Sequence, residues 1–350
     1  MRSPGLPFSL QSYRYDIPPE LVAQFPMEPR DQARLLIVHR GSGQIEEALV
    51  RDLPSFLHPE DALIFNNTRV LHAALKGHRD DGRPIDALLT EKLSPRRWWA
   101  MAKPAKKLPL HTSITLGEGD DLLHARVVDV KEDGQRLLEF SSDVTEGKLR
   151  RIGRVPLPPY IKRAPRNELD AIRYQTIYAA TPGSVAAPTA GLHFTDSLFA
   201  RLDEEQVSRI FVTLHVGTGT FLPVRTEDIR HHKMHEEHFS LTQDVADALN
   251  SIPSSGRRIA VGTTSCRVLE TAVDGSGHIQ AVRGSTNLFI YPGYTWRYVN
   301  GLFTNFHTPE SSLLMLVAAF MGHDLLREAY ATAIAKRFRF FSYGDAMLIL

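Results

Sequence analysis

One cysteine, Cys266, stands in the 350 residues. No intramolecular disulfide framework and no zinc site built on several thiolates is open to the chain. Its longest apolar run, residues 313–321, falls far short of the roughly 20 residues that span a bilayer, so a buried helix rather than a membrane helix is expected there. The opening stretch MRSPGLPFSLQSYRYD lacks an apolar core followed by a small-residue cleavage site. No secretory leader is expected, which leaves the cytoplasm as the expected compartment. A large charge of one sign is missing too: the net charge is +1, so any contact with nucleic acid must come from a local patch.

What is present is ordinary for an ordered, water-soluble chain, with 43% hydrophobic and 23% charged residues. The length suits two folding units. One local patch runs through Lys148, Arg150, Arg151, Arg154, Lys162, Arg163 and Arg166 with no acid between them. It reads either as a row of phosphate contacts or as a solvated linker.

The expected fold class is α/β, a layered domain built from both ends of the chain with a small antiparallel β-barrel inserted. Residues 62–65 (ALIF) read as a buried strand, and the sequence changes character near Arg69. From 70 to 151 short apolar runs alternate with Gly, Asp and Pro clusters (DALLTEKL, RWWAMAK, SITLG, LLHARVVDV, QRLLEFSS), which predicts the barrel. Trp98 and Trp99 read as one ring filling its core and one capping it, with base stacking as the alternative. Residues 1–69 and 152–350 form the α/β unit. IFVTLHV (210–216), RIAVG (258–262) and LFIYP (288–292) predict strands covered on both faces. Thr195 with Asp196, Thr242 with Asp244, and Ser311 with Ser312 predict helix starts, the last helix reaching toward Lys336 with a break at Gly322.

Several segments place polar, aromatic and glycine residues where a core would want aliphatics. PGSVAAPTAGLHF (182–194) allows close backbone approach to a ligand and carries His193 just before a helix start, although a structural turn explains it as well. LHVGTGTFLPVR has a strand followed by GxG, but the third glycine is absent and Pro223 stands where a helix would continue, so a dinucleotide fingerprint is rejected. His215 is either functional or a satisfied core histidine. HHKMHEEHF (231–239) suits proton transfer or metal ligation but lacks the HExxH order. AVGTTSCRVLE runs from a strand into a helix start whose amides can hold a carboxylate or phosphate, with simple hydroxyl capping as the alternative. Cys266 reads as packed on that helix. TNFHTPE (304–310) and FRFFSYGDAM complete the set, Asp345 beside Gly344 reading as a turn.

Taken in order, AQFPMEPRDQARLL, IFNNTRV, VPLPPYI, YQTIYA, GSVAAPTAGLHF, FVTLHVGTGTF, HKMHEEHF, AVGTTSCRVLE, TNFHTPESSLLMLVAAF and RFFSYGDAM resemble the S-adenosylmethionine:tRNA ribosyltransferase-isomerase family of queuosine biosynthesis. Cys266, Thr308 and Phe338 depart from its pattern, as does VLHAALKG, which lacks an expected proline and arginine. The resemblance implies an α/β domain with a β-barrel insert. It implies transfer of the ribosyl group of S-adenosylmethionine to 7-aminomethyl-7-deazaguanine in tRNA, with adenine and methionine released and epoxyqueuosine formed.

On that reading S-adenosylmethionine is a consumed substrate, with no resident cofactor and no metal. tRNA is the partner, and the chain is expected to act as a monomer. His193, His215, His232, His235, Glu237 and His307 form the expected acid–base pool, because groups with a pKa tuned near the working pH serve proton transfer best. Asn66, Arg69, Thr189, Thr264, Arg267, Asn305 and Asp345 are the expected substrate-positioning residues, the two arginines through their planar forks. Two rivals stay open: a metal-dependent hydrolase using the histidine segment as ligands, and a noncatalytic RNA-binding module.

Overall fold

Apolar runs with no polar face must be covered on both sides, and the computed structural model sets several of them edge to edge. It describes residues 7–119, 121–164, 167–217, 219 and 224–350, with Asn167 as backbone alone. Arg166 of the basic patch, and Thr218, Thr220 and residues 221–223 of the glycine-rich loop, lie outside the described residues.

The central sheet is assembled from both ends of the chain. Its strands are β1 (Arg34–Val38), β2 (Ile45–Leu49), β3 (Ala62–Asn66), β12 (Ser208–Leu214), β13 (Glu237–Leu241), β14 (Arg258–Val261), β15 (Val282–Thr286), β16 (Gly301–Asn305) and β17 (Ala346–Ile349). Their order is β15-β13-β12-β3-β14-β16-β17-β1-β2. The strands β12, β3, β14 and β16 run parallel, with Ile64 paired to Ile210 on one side and Ala260 on the other. Alternate side chains serve two cores. Ile64, Val212, Ala260 and Leu302 meet helices at 243–250, 263–272, 312–321 and 323–335, whereas Leu63, Phe65, Val261 and Phe303 meet Phe194, Leu198 and Leu202.

The helix starts are those expected. Thr195 Oγ1 accepts from Leu198 N at 3.1 Å, Ser311 Oγ from Leu314 N at 3.2 Å, and Thr242 sits at the N-cap of the 243–250 helix. Gly322, at φ +89°, separates the last two helices.

Residues 288–292 do not form the expected strand. Their apolar and aromatic content serves packing without a ladder partner. Ile290 is buried in the core, while Phe289 and Tyr291 lie 5.0 Å apart by ring centroids and reach His232 and Phe8 respectively.

The barrel is closed by six antiparallel strands: β5 (Ala74–Arg79), β6 (Pro84–Ser94), β7 (Arg97–Lys103), β8 (Ser113–Leu116), β9 (Leu123–Val130) and β10 (Arg136–Phe140). Trp98 packs in its core, and buried Trp99 lies under the Lys131 ammonium, 4.3 Å from the ring centroid. Closure leaves the barrel no free sheet edge.

Two chain segments cross side by side where the barrel meets the sheet. Ala74 and Arg154 exchange backbone hydrogen bonds of 3.0 and 2.9 Å, and a Cβ on Gly153 would lie 2.0 Å from the His72 carbonyl oxygen, so only glycine lets the segments approach this closely. Just before this crossing, β4 (Thr68–Val70) pairs in parallel with β11 (Thr181–Ser184).

Candidate active site

From β3 the chain passes to β12 on one side and later returns to β14 on the other. Connections that part in this way open a crevice at the carboxyl ends of the strands, the usual ligand position in an open α/β sheet. Here the crevice is lined by Thr189 and Ala190, by Gly262, Thr263 and Thr264 at the start of the 263–272 helix, by Thr304 and Asn305 at the end of β16 with Phe306, His307 and Thr308 after it, and by Tyr160, Phe341 and Ser342. That helix has no side-chain cap, and Gly262 holds φ +89° at its N-cap. Uncapped first-turn amides at the positive end of a ten-residue helix suit a carboxylate.

Four of the expected site residues meet in this crevice. Thr189 Oγ1 donates to Asn305 Oδ1 at 2.8 Å, and Asn305 Nδ2 donates to the Phe341 carbonyl at 3.3 Å. Thr264 Oγ1 accepts from Asn66 Nδ2 at 3.2 Å. His307 Nε2 lies 2.8 Å from Thr304 Oγ1, while its backbone N–H donates to the Tyr330 hydroxyl at 2.9 Å. Burial pushes the His307 imidazole down to about 3, because a charged ring would have to shed its water there. It is neutral at physiological pH.

Other expected residues build the walls. Asn66 is fully buried and clamps the ends of β3 and β12, its amide donating to Leu214 O at 2.9 Å and its Oδ1 accepting from Leu214 N and Thr68 N. His193 lies behind the crevice, its ring nitrogens 3.1 Å from Ala190 O and 2.9 Å from Gly344 O; burial lowers its pKa. Asp345 ties the chain end to β1 by accepting from Arg34 N and Arg339 N at 2.9 and 2.7 Å, and burial raises its carboxyl.

A second group lies past Val216. His215 Nδ1 is 2.9 Å from Thr68 Oγ1, and its ring fills the place beside Gly183, where a Cβ would come within 2.7 Å of Cε1. Burial lowers its pKa, with His238 adding to the effect. His232 stands edge-on to Phe289, and its pKa is lowered first by burial and then by His235. His235 is exposed and packs against Gly219. Buried Glu237 pairs with Arg267 Nη1 and accepts from Gly217 N at 2.9 Å. The rest of the Arg267 fork donates to the carbonyls of Leu288 and Thr286, so it is spent on holding β13, β15 and the 288–292 segment together.

Arg69 pairs at 3.0 Å with Glu146 beside the barrel crossing. On the barrel side Asp133, in the turn between β9 and β10, faces this group. Its carboxyl is lowered against burial by hydrogen bonds from Gln135, then by Lys131 and His235. Among the described residues no three His, Cys, Asp or Glu side chains converge as metal ligands would.

Sequence reading missed Tyr160, Thr304, Phe341 and Ser342 as crevice residues. Tyr160 and the last two lie in VPLPPYI and RFFSYGDAM, motifs whose aromatic content was visible but whose meeting was not. The basic patch also changes meaning in three dimensions. Arg150 pairs with Glu146, Arg151 with Asp121 and Arg163 with Asp170, acids that lie outside the stretch. Cys266 is fully buried, and burial raises its thiol.

Residues 10–349 match the family described as queuosine biosynthesis protein. A protein of Symbiobacterium thermophilum called S-adenosylmethionine:tRNA ribosyltransferase-isomerase is 48% identical over 97% of this chain and 99% of its own length. One of the same name from Thermus thermophilus is 49% identical over 97% of this chain and 99% of its own. Among solved structures, the S-adenosylmethionine tRNA ribosyltransferase of Thermotoga maritima is 34% identical, with a TM-score of 0.56, over 97% of this chain and all of that one.

Proposed function

The chain belongs to the queuosine biosynthesis protein family, and from that membership we propose that it transfers and isomerises the ribosyl moiety of S-adenosylmethionine onto 7-aminomethyl-7-deazaguanine in tRNA. The protein is an S-adenosylmethionine:tRNA ribosyltransferase-isomerase. The modified base becomes epoxyqueuosine, and adenine and methionine leave. The observation that carries the reading to this molecule is the crevice at the carboxyl edge of β3, β14 and β16, where Thr189, Thr264, Asn305 and His307 meet the start of the 263–272 helix. S-adenosylmethionine enters as a consumed substrate. Its carboxylate is matched by the first-turn amides of that helix.

The sulfonium acidifies the neighbouring C5′ hydrogens, so a base opens the sequence; an acid then assists the departing adenine. His307, whose pKa burial lowers to about 3, is a weak base and serves as a hydrogen-bonding wall. Proton transfer falls to the more accessible His215, His232 and His235, with Glu237 fixing Gly217 and Arg267 beneath them. Asn66, His193 and Asp345 hold the crevice in shape through the bonds described. Arg69, beside the barrel crossing, is assigned to substrate phosphate through its planar fork.

The test is to supply purified protein with S-adenosylmethionine and tRNA carrying the aminomethyl base. Adenine and methionine are released only with that tRNA, and the tRNA gains the mass of the ribosyl unit. Methyl transfer in place of ribose transfer refutes the reading.

A further inference from the structure

The crevice is chemically uneven. Contacts order its lining residues from one end to the other. Gly262 and Thr264 lie at one end, Gly262 with a Cβ position 3.5 Å from that of Ala190. Thr189 next to Ala190 bonds to Asn305, and Asn305 bonds to the Phe341 carbonyl. Phe341 and Tyr160 close the far end, with ring centroids 4.8 Å apart and planes tilted by 50°. The crevice therefore runs from helix amides, through a threonine–asparagine pair, to an aromatic pair.

Two observations set that aromatic end apart from ordinary core. Phe341 has φ +71°, a left-handed conformation that a bulky residue rarely adopts, so its backbone is held by the surrounding fold. The Tyr160 hydroxyl lies 2.6 Å from Ser342 Oγ, and burial raises its pKa to about 12. Fixed in this way and kept protonated, Tyr160 offers the crevice a ring rather than an acid or a base.

We propose that Tyr160, with Phe341 beside it, is the platform for the adenine ring of the nucleoside substrate, which places the amino-acid end against Gly262, Thr263 and Thr264. This rests on the assignment of S-adenosylmethionine to the crevice. A planar heteroaromatic base gains by stacking on a fixed aromatic face, whereas a carboxylate is repelled by the negative ring face and is favoured by amides and the positive end of a helix dipole. Asn305 and Thr189 lie between the two ends, where the ribose would sit.

The test uses the full-length protein and two neutral-pH probes, 5′-methylthioadenosine for the adenine end and methionine for the other. Tyr160→Leu should weaken binding of 5′-methylthioadenosine, and raise KM for S-adenosylmethionine, by on the order of 10-fold, as expected for losing one base–aromatic stack. Inhibition by methionine should stay as in the parent. Tyr160→Phe, which keeps the ring, should lie nearer the parent than the leucine variant. In the unsubstituted protein, nuclear Overhauser contacts should join the adenine protons of the bound probe to the Tyr160 ring, a readout independent of whether any variant folds.

Adenine contacts elsewhere with Tyr160 silent, or a leucine variant weakened toward methionine but not toward the nucleoside, overturns the orientation while leaving the crevice assignment standing. Failure of either probe to contact any crevice residue of the parent overturns that assignment and the inference with it.

Discussion

Acidification should destabilise this protein through His307, by an amount the structure sets. The ring is buried against Thr304 and its pKa is lowered by burial from the ordinary 6.5 to about 3. In the unfolded chain the same ring takes up a proton as pH falls through about 6.5, while the folded protein refuses it until about 3. The unfolded state then binds more protons, so stability is complete above the unfolded pKa and is lost as pH drops. Each pH unit in that window costs about 1.4 kcal/mol. Between about pH 7.5 and about pH 5 the loss from this group is roughly 2 kcal/mol. Urea unfolding of the parent and of His307→Gln at several pH values isolates the term, because His193, also buried and lowered, is present in both. The variant starts less stable at neutral pH, and the gap narrows by about 2 kcal/mol toward pH 5. Parallel curves would show that His307 is not held neutral by burial.

Glu237→Ala leaves Arg267 buried without its carboxylate and should cost about 3–5 kcal/mol, whereas the double change Glu237→Leu with Arg267→Met should cost less than the sum of the two single changes; denaturant midpoints decide. His235→Ala should lower turnover by on the order of 10² with tRNA affinity and melting temperature near the parent's, since the ring is exposed. Equal losses of stability and turnover would make it structural. Neutralising Lys148 and Lys162 should each reduce the log–log salt slope of tRNA binding by somewhat less than about one unit. Neutralising Arg151, already paired with Asp121, should change it less; an identical effect would mean the pair opens on binding.

Local patterns were enough to announce most elements. Period-two runs between Gly, Asp and Pro clusters mark the barrel strands because one face of each must be apolar, and continuous apolar runs such as residues 62–65 mark strands covered on both sides. Hydroxyl caps at Thr195 and Ser311 and the break at Gly322 are equally local, depending on a few neighbouring backbone groups. Residues 288–292 have the same composition as a buried strand but pack as irregular chain, because a strand also needs an edge to pair with and that edge is supplied by the rest of the sheet.

The site shows the same division. Histidine, asparagine and threonine in the motifs declared chemistry, and the motif order declared the family. Only the tertiary structure could decide which of those residues face the crevice. It turned Arg267 inward onto Glu237, gave Arg151 a partner from residue 121, and brought Tyr160 to Ser342 across 182 positions of chain. Such pairings follow from how sheet, barrel and helices pack, a non-local balance that no short window of sequence contains.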